Sequence, residues 1–363
     1  MKCGIVGLPN VGKSTLFNCL SNAKAQSANY PFCTIEPNMG MVNVPDERLD
    51  KLEELVNPER VVPATVEIVD IAGLVKGASK GEGLGNQFLG NIRECNAILH
   101  VLRCFENENI THVDGDINPI RDKETIDTEL QLKDLETLEK RIDKHRKAAR
   151  TGNKEEVKNV ELLEALQKHL ESGKSVRGFE RTEDQDELIK EIQFLTDKPV
   201  LYVCNVEESS AKSGNSWVEK VKEMAASENA EVMHLAAATE ADIAELESYE
   251  ERRMFLDDLE LEEAGVNRLV RSAYSLLNLQ TYFTAGVKEV RAWTIKKGFT
   301  APQAAGVIHT DFEKGFIRAE VIKYEDYVKY GSEAAVRDAG KLNVEGKEYL
   351  VGDGDVMHFR FNV

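Results

Sequence analysis

Short apolar runs alternate with segments of helical period along the first hundred residues. Three such runs are Cys3–Val6, Thr65–Val69 and Ala97–Leu102. Runs of this length are typical of strands that are covered on both faces of a parallel sheet. Similar runs return at Pro199–Cys204 and Val232–Ala237. The pattern predicts an α/β domain built on a doubly wound, mainly parallel sheet.

A long stretch of helical period interrupts this pattern between about Asp122 and Asp197. Apolar residues recur there at helical spacing in two series, which are Leu130, Leu132, Leu135, Leu138 and Ile142, then Val157, Val160, Leu163, Leu166 and Leu170. The polar turn Thr151-Gly152-Asn153 separates the two series. We therefore predict an αα-hairpin of coiled-coil type, over residues 122–197, inserted into the α/β domain.

The pattern changes again after about Asn278, where short apolar segments alternate with glycine-containing turns. We expect strands at Val287–Trp293, Phe316–Val321 and Val356–Phe361, with one helix between them. The chain is thus expected to hold an α/β domain over residues 1–278, interrupted by the hairpin, and a small α+β domain over residues 279–363.

Composition excludes several broad classes of protein. Of the 363 residues, 42% are hydrophobic and 30% are charged, which is ordinary for a folded globular protein. The sequence shows no targeting peptide and no apolar run of the ~18 residues that a membrane span needs, so a cytoplasmic location is expected. The six cysteines are scattered, without metal-ligand spacing. The net charge of −18 argues against attraction of the whole surface to nucleic acid.

One segment has the opposite charge. Residues 140–158 carry eight basic side chains, which are Lys140, Arg141, Lys144, Arg146, Lys147, Arg150, Lys154 and Lys158. Only three acidic residues lie among them. The hairpin tip could therefore neutralise several phosphates of an RNA. The alternative is that this segment is a solvated helix tip without a partner.

The strongest chemical motif follows the first strand directly. Gly7-Leu8-Pro9-Asn10-Val11-Gly12-Lys13-Ser14 has the form G-x-x-x-x-G-K-S and leads into a predicted helix. Glycines let the backbone wrap a phosphate, and the helix N-terminus adds positive potential. In such a loop Lys13 reaches the β- and γ-phosphates and Ser14 ligates Mg²⁺.

Two further segments fit the same nucleotide site. Asp70 and Gly73 form a D-x-x-G motif at the end of a strand, where Asp70 would hold Mg²⁺ through water and the Gly73 N–H would face the γ-phosphate. Thr34 lies between this motif and the phosphate loop, and would complete the Mg²⁺ shell as a first switch segment. A plain surface turn is the alternative for Thr34.

The residues expected to read the base follow the Pro199–Cys204 strand. A GTPase carries N-K-x-D there, whereas this chain has Asn205-Val206-Glu207-Glu208. The missing Asp would accept hydrogen bonds from guanine, so we expect ATP to be preferred over GTP. Asn205 and Val206 would contact the base, and Phe105, after the Ala97–Leu102 strand, would stack or pack there. A drifted site that still selects guanine is the alternative.

Hydrolysis needs a group that orients water. The position after D-x-x-G, which holds a glutamine in Ras-like enzymes, is Leu74, and an apolar side chain cannot bind the attacking water. His112 lies in the loop after the Ala97–Leu102 strand, whose carboxyl end should border the nucleotide, and is the candidate. The alternative is a surface histidine without a catalytic part. Slow intrinsic hydrolysis is expected.

These motifs together resemble those of one known family. G-L-P-N-V-G-K-S-T, D-I-A-G-L-V with G-x-G-L-G-N-x-F-L, the helical insertion and the C-terminal pattern are similar to the YchF family of Obg-like ATPases over essentially the whole chain. The resemblance implies a P-loop GTPase-type core, a coiled-coil insertion and a C-terminal TGS domain with a ubiquitin-like β-grasp. It also implies a catalytic histidine on a flexible loop. It places Mg²⁺ on Ser14 and Thr34, and nucleotide contacts on Asn10, Val11, Gly12, Lys13, Ser14 and Thr15.

The expected function is a nucleotide-switched, Mg²⁺-dependent ATPase that binds ribosomes, or their large subunit, or structured RNA through the basic hairpin and the TGS domain. Two alternatives remain open. The protein could be a GTPase of the translation-factor kind, or a ribosome- or RNA-binding module in which nucleotide hydrolysis is secondary.

Overall fold

The computed structural model describes residues 1–25, 38–71, 84–110, 115–228, 230–246 and 248–362. The strands are β1 Lys2–Val6, β2 Met39–Asn43, β3 Val61–Val62, β4 Thr65–Asp70, β5 Ala97–Cys104, β6 Val200–Val206, β7 Glu231–Leu235, β8 Leu279–Ala285, β9 Val290–Lys296, β10 Phe316–Ile322, β11 Asn343–Glu345 and β12 Val356–Phe361. The helices are α1 Lys13–Ala25, α2 Glu47–Val56, α3 Leu84–Glu94, α4 Pro119–Ala149, α5 Lys154–Glu171, α6 Glu183–Ile192, α7 Ser216–Ala226, α8 Ala237–Glu245, α9 Tyr249–Asp258, α10 Gly265–Leu276, α11 Ala301–Ile308, α12 Thr310–Lys314, α13 Tyr324–Tyr330 and α14 Glu333–Asp338. None of these helices is both long and apolar enough to span a bilayer.

The first sheet carries the predicted phosphate loop. Its six strands have the order β2-β4-β1-β5-β6-β7. The pairs β1–β4, β1–β5, β5–β6 and β6–β7 are all parallel, and every residue of β5 and β6 is buried. The strand order reverses on the two sides of β1, which is the position where ligands bind in sheets of this kind. The predicted doubly wound, mainly parallel sheet is confirmed.

The predicted helical hairpin is also confirmed, as α4 and α5. Asn118 caps α4 and Asn153 caps α5, and the turn between the helices contains Gly152 with a φ of 85°. A left-handed residue at this position ends the first helix without strain only because it is glycine. The two helices share an apolar core with α6, made of Leu138, Ile142, Leu163, Leu166, Leu170, Ile189 and Ile192, among others.

The second sheet has the order β11-β10-β12-β8-β9-β3. Strand β8 is antiparallel to β9 and parallel to β12, and β12 is antiparallel to β10. Helices α11 and α12 lie against this sheet over a core that includes Tyr282, Ala304, Val321 and Phe359. The chain divides into two compact units, of which one is formed by residues 1–41 and 67–269 and the other by residues 42–66 and 270–363.

Several local predictions differ from the observed elements. Residues 42–66, which the sequence pattern placed in the first domain, pack with the C-terminal part because β3 pairs with β9. The segment expected as a strand from Val287 begins only at Val290, since Val287 lies in the exposed turn between β8 and β9. Strand β7 ends at Leu235 because α8 begins two residues later. Four helices, not one, lie between β9 and β11. The domain boundary at residue 278 and the TGS assignment stay predictions.

Candidate functional site

The phosphate loop leaves β1 and turns sharply into α1. Asn10 and Gly12 have φ angles of 64° and 99°, in the left-handed region. A Cβ atom on Gly7 would lie 2.6 Å from the carbonyl oxygen of Val101, so the loop approaches β5 too closely for a side chain there. Ser14 and Thr15 are exposed at the first turn of α1, while Val11 is buried. The loop therefore presents backbone N–H groups and two hydroxyls at a helix N-terminus.

Lys13 lies inside this loop rather than in solvent. Its Nζ donates a hydrogen bond to the carbonyl oxygen of Leu8 at 2.6 Å, and the residue is 8% exposed. Burial lowers the pKa of Lys13 to about 8, although the charge of Asp70 acts to raise it. The ammonium group is thus held across the loop, where a bound polyphosphate would lie.

Asp70 ends β4 beside the phosphate loop, because Asp70 pairs with Ile5 of β1. Its carboxylate accepts a hydrogen bond from the Ser14 hydroxyl. Burial raises the pKa of Asp70, while Lys13 and Ser14 act to lower it. The other oxygen, Oδ1, is buried and has no hydrogen-bond partner among the residues that the structure describes.

This arrangement fits a magnesium ion. A buried carboxylate oxygen without a partner is costly unless a cation or a donor reaches it. In nucleotide sites Mg²⁺ takes one or two protein oxygens and completes its shell with phosphates and water. Asp70 and Ser14 supply such a pair of oxygens, and across the described ranges no group of three or more His, Cys, Asp or Glu residues could hold a metal alone. The residues present suit an ion that arrives with a polyphosphate.

Asn205, at the end of β6, is tied to two neighbouring segments. Its Nδ2 donates to the carbonyl oxygen of Val11 at 2.9 Å, and its Oδ1 accepts from the N–H of Ala237 at 2.9 Å. The residue is 5% exposed. The structure therefore places Asn205 as a link between the phosphate loop and the start of α8. The sequence does not predict the part of Ala237 in this link, because Ala237 acts through its backbone N–H and that group is independent of the side chain.

The next three residues are divided between the core, a loop and solvent. Val206 is buried at the end of β6. Burial acts to raise the pKa of Glu207, but hydrogen bonds from Ser210 and Asn215 lower it below its ordinary value. Glu208 is exposed, and one of its oxygens lies 3.5 Å from the hydroxyl of Thr239. Of the two carboxylates, Glu207 is engaged within its own loop and Glu208 is accessible.

Phe105 follows β5 and is partly buried against a residue that the sequence analysis missed. The guanidinium of Arg103 lies 4.6 Å from the centre of the Phe105 ring. The same group donates to the carbonyl oxygens of Phe105, Asn107 and Ile110 at 3.2, 3.3 and 3.0 Å. Arg103 therefore fixes the loop that follows β5. A single arginine within an apolar strand was the available signal.

Three predicted site residues, Thr34, Gly73 and His112, lie outside the described residues, as does Leu74. Their roles stay predictions. The structure brings together Lys13, Ser14, Asp70 and, through Val11, Asn205.

Comparison with known proteins gives matches to two family models. A model described as "50S ribosome-binding GTPase" matches residues 2–140. The model of the YchF GTPase C-terminal family, described as "Protein of unknown function (DUF933)", matches residues 279–362.

Individual relatives match over the whole length. A protein of Bacillus subtilis (strain 168), named "Ribosome-binding ATPase YchF", is 57% identical over 365 residues, which cover 100% of both chains. A protein of Haemophilus ducreyi with the same name is 58% identical and covers 100% of this chain and 99% of the relative. A solved structure described as "Structure of the Schizosaccharomyces pombe YchF GTPase" superposes with a TM-score of 0.90 at 40% identity, covering 99% of this chain and 97% of that one.

Proposed function

Since the chain belongs to the YchF family, we propose that this P-loop nucleoside triphosphatase hydrolyses ATP in preference to GTP, requires Mg²⁺, and binds ribosomes in a nucleotide-dependent manner. We also propose that the protein is cytoplasmic. Slow hydrolysis without a stimulating partner is also part of it, because Leu74 replaces the residue that orients water in Ras-like enzymes.

One observation carries the preference for ATP, namely the engagement of the residues after β6. In a guanine site, a short carboxylate accepts hydrogen bonds from two N–H donors of the base. Here the carboxylate of Glu207 already accepts hydrogen bonds from Ser210 and Asn215, and Glu208 is a longer side chain that lies near Thr239. A bound guanine would therefore lack a carboxylate that accepts hydrogen bonds from both donors. The loss disfavours GTP by roughly 1–3 kcal/mol, as for other base-reading pairs.

Each phosphate-site residue then has a role that follows from its position. Lys13 moves its ammonium from the Leu8 carbonyl to the β- and γ-phosphates, where it neutralises developing charge. Ser14 and Asp70 would hold Mg²⁺, Ser14 directly and Asp70 through water, with Thr34 as a further ligand. When bound, the ion would neutralise the charge of the phosphates. Asn10, Val11, Gly12 and Thr15 supply the remaining loop contacts.

Catalysis is assigned to residues that lie outside the described ranges. The Gly73 N–H would hold the γ-phosphate, and His112 would accept a hydrogen bond from the attacking water as a neutral imidazole. The support is positional, because Arg103 fixes the loop up to Ile110, two residues before His112. Phe105, Asn205 and Val206 would border the base.

The ribosome is proposed as partner on two grounds. The bacterial relatives carry ribosome binding in their names. The helical hairpin supports the proposal independently, since Lys144, Lys147, Arg150, Lys154 and Lys158 form no ion pair with any residue in the described part of the chain. Unpaired cations at the tip of a long hairpin suit the phosphates of ribosomal RNA.

Equilibrium titration with ATP and GTP, in the presence of Mg²⁺, tests the nucleotide preference. We expect ATP to bind at least about tenfold more tightly, which corresponds to ~1.4 kcal/mol. Tighter binding of GTP would favour the second candidate, a GTPase, which is the activity in the description of the Schizosaccharomyces pombe relative.

Sedimentation with ribosomes, with and without nucleotide, tests the third candidate, a ribosome- or RNA-binding module. If ribosome binding is the same with and without nucleotide, nucleotide hydrolysis is secondary to that binding.

A further inference from the structure

Strand β12 of the second sheet has a backbone edge that is only partly covered. On one side it pairs with β10 from Val356 to Phe361. On its other side β12 pairs with β8 only through Val356 and Phe283. The pairing stops there because β8 ends at Ala285 and the chain turns into β9.

The register shows which backbone groups face that open side. Phe283 donates its N–H to the carbonyl oxygen of Asp355 at 2.8 Å, so the groups of Asp355 point towards β8. Because backbone groups alternate along a strand, the N–H and C=O groups of Met357, Phe359 and Phe361 point to the same side. Past Ala285 they face a space that no described strand fills.

The space is a groove. A cavity of about 410 Å³ is lined by β12 residues 357–361 and by Thr284, Ile308 and Phe312. A second cavity, of about 370 Å³, continues from it along the turn of residues 284–289. One wall is apolar, since the rings of Phe312 and Phe361 stack with their centres 3.7 Å apart. Together the two cavities follow the open edge of β12.

The rim of this groove is positive although the protein as a whole is negative. Lys288 and His358 line it, and Arg291 pairs across the sheet with the lining residue Thr284, with its guanidinium 3.9 Å from the centre of the Trp293 ring. No ion pair joins these three side chains to a residue within the described ranges. The nearby carboxylates are already paired, Glu289 with Arg60 and Glu320 with Arg360.

We propose that this groove binds an extended polypeptide segment of a partner protein, which adds as a strand to β12. A strand supplies N–H and C=O groups at a repeat of about 3.3 Å per residue, matching the free groups of Phe359 and Phe361. A sugar–phosphate backbone offers no such alternating donors, so the open edge favours peptide over RNA. Alternate apolar residues contact Ile308 and Phe312, and acidic residues near the ends contact Lys288 and Arg291.

Selection of random peptides of about 12 residues on the full-length protein provides the probe. We expect the selected sequences to alternate apolar with other residues and to carry acidic residues near an end. A selected peptide, measured by fluorescence anisotropy, should lose at least about tenfold in affinity when alternate amides on its inner edge are N-methylated, because those groups form the added ladder. In hydrogen exchange, the peptide should slow the exchange of the Phe359 and Phe361 amides.

Two matched substitutions check the location. Lys288→Glu should weaken the peptide by about three- to tenfold, while Lys347→Glu, an equal change of charge on an exposed turn outside the groove, should leave affinity unchanged. The proposal is overturned if the selected peptides show no alternation of apolar with other residues, or if N-methylation leaves their affinity unchanged. Protection of the two amides by single-stranded RNA in place of peptide assigns the groove to nucleic acid. If the exchange of these two amides slows as the protein concentration rises, without any peptide, the groove is assigned to a second copy of the chain.

Discussion

Asn205 donates its side-chain N–H to the carbonyl oxygen of Val11 at 2.9 Å, which ties the end of β6 to the phosphate loop. Replacing Asn205 by Asp keeps the acceptor for the Ala237 N–H but sets a carboxylate against the Val11 carbonyl. We expect Asn205→Asp to weaken nucleotide binding at least about tenfold and to lower the free energy of unfolding by ~1–3 kcal/mol. Nucleotide titration and denaturant unfolding measure the two effects. Unchanged affinity with ATP would show that this link does not shape the loop.

The conformation of Gly12 supports a second substitution. Its φ is 99°, and a Cβ atom there would lie 2.3 Å from Nδ2 of Asn205. Gly12→Ala should therefore displace the phosphate loop and abolish nucleotide binding while the rest of the sheet stays folded. Gly90→Ala in α3 is the matched control, since no atom lies within 4 Å of a Cβ atom there and alanine favours the helix. Retention of ATP binding in Gly12→Ala would contradict the observed loop geometry.

The pKa of Lys13 gives a pH dependence with opposite signs for stability and binding. Burial lowers this pKa from 10.5 to about 8. Between these values the unfolded chain holds a proton that the folded chain has lost, so the contribution of Lys13 to stability rises with pH from about 8 to 10.5. ATP binding needs the charged amine and should weaken as pH rises through about 8. Denaturant unfolding across this range checks the sign for stability, and titrations with ATP check the sign for binding, each compared with Lys13→Met. An affinity that is flat with pH would contradict the role of Lys13.

The sequence predicts those parts of the fold that are encoded locally. Strand β1 and the phosphate loop are one continuous segment, and the two leucine-rich series of the hairpin have a period that only helices satisfy. By contrast, pairing between distant segments has no local signal. Strand β3 is two residues long and joins β9, which lies far along the chain, so nothing in Val61 and Val62 indicates their partner. For the same reason the packing of residues 42–66 with the C-terminal part could not be anticipated.

The residues of the candidate site likewise fall into those that the sequence predicts and those that only the structure identifies. Lys13, Ser14 and Asp70 were predicted because phosphate loops and strand ends dictate residue types at fixed spacing. The role of Asn205 as a link was not, because its partners are a backbone carbonyl and a backbone N–H. Arg103 could have been noticed as a charged residue in a strand that is buried throughout. The carbonyl oxygens that it binds have no side-chain identity, so its function required the structure.

The role of the basic hairpin tip in ribosome binding can be tested at basic residues that differ in whether they form an ion pair. Arg146 donates to Glu164 at 2.7 Å, whereas Lys147 and Arg150 form no ion pair with a described residue. The double substitution Lys147→Glu with Arg150→Glu should weaken ribosome binding and reduce the slope of log K against log salt by about 0.7–0.9 for each phosphate that is no longer neutralised. Arg146→Glu should have a smaller effect, since Arg146 is already neutralised. Ribosome sedimentation over a range of salt concentrations measures the slopes, and equal slopes for all variants would exclude the tip from the interface.

The last prediction concerns the loop after β5 and its link to catalysis. The fixed fork of the Arg103 guanidinium reaches the carbonyls of Phe105, Asn107 and Ile110 together, and a lysine ammonium is too compact to do so. Arg103→Lys keeps the buried positive charge near Asp122, so the strand should stay folded while the loop loses its anchor.

If His112 orients the attacking water, its position depends on this loop. Single-turnover hydrolysis of ATP should then fall at least several-fold in His112→Ala and in Arg103→Lys, with ATP affinity nearly unchanged, as expected for an interaction made mainly in the transition state. The two effects should not add, because Arg103 would act through His112. Arg103→Lys should therefore cause little further loss in the His112→Ala background. Equal losses from Arg103→Lys in both backgrounds would separate the loop anchor from His112, and an unchanged rate in His112→Ala would remove that histidine from the mechanism.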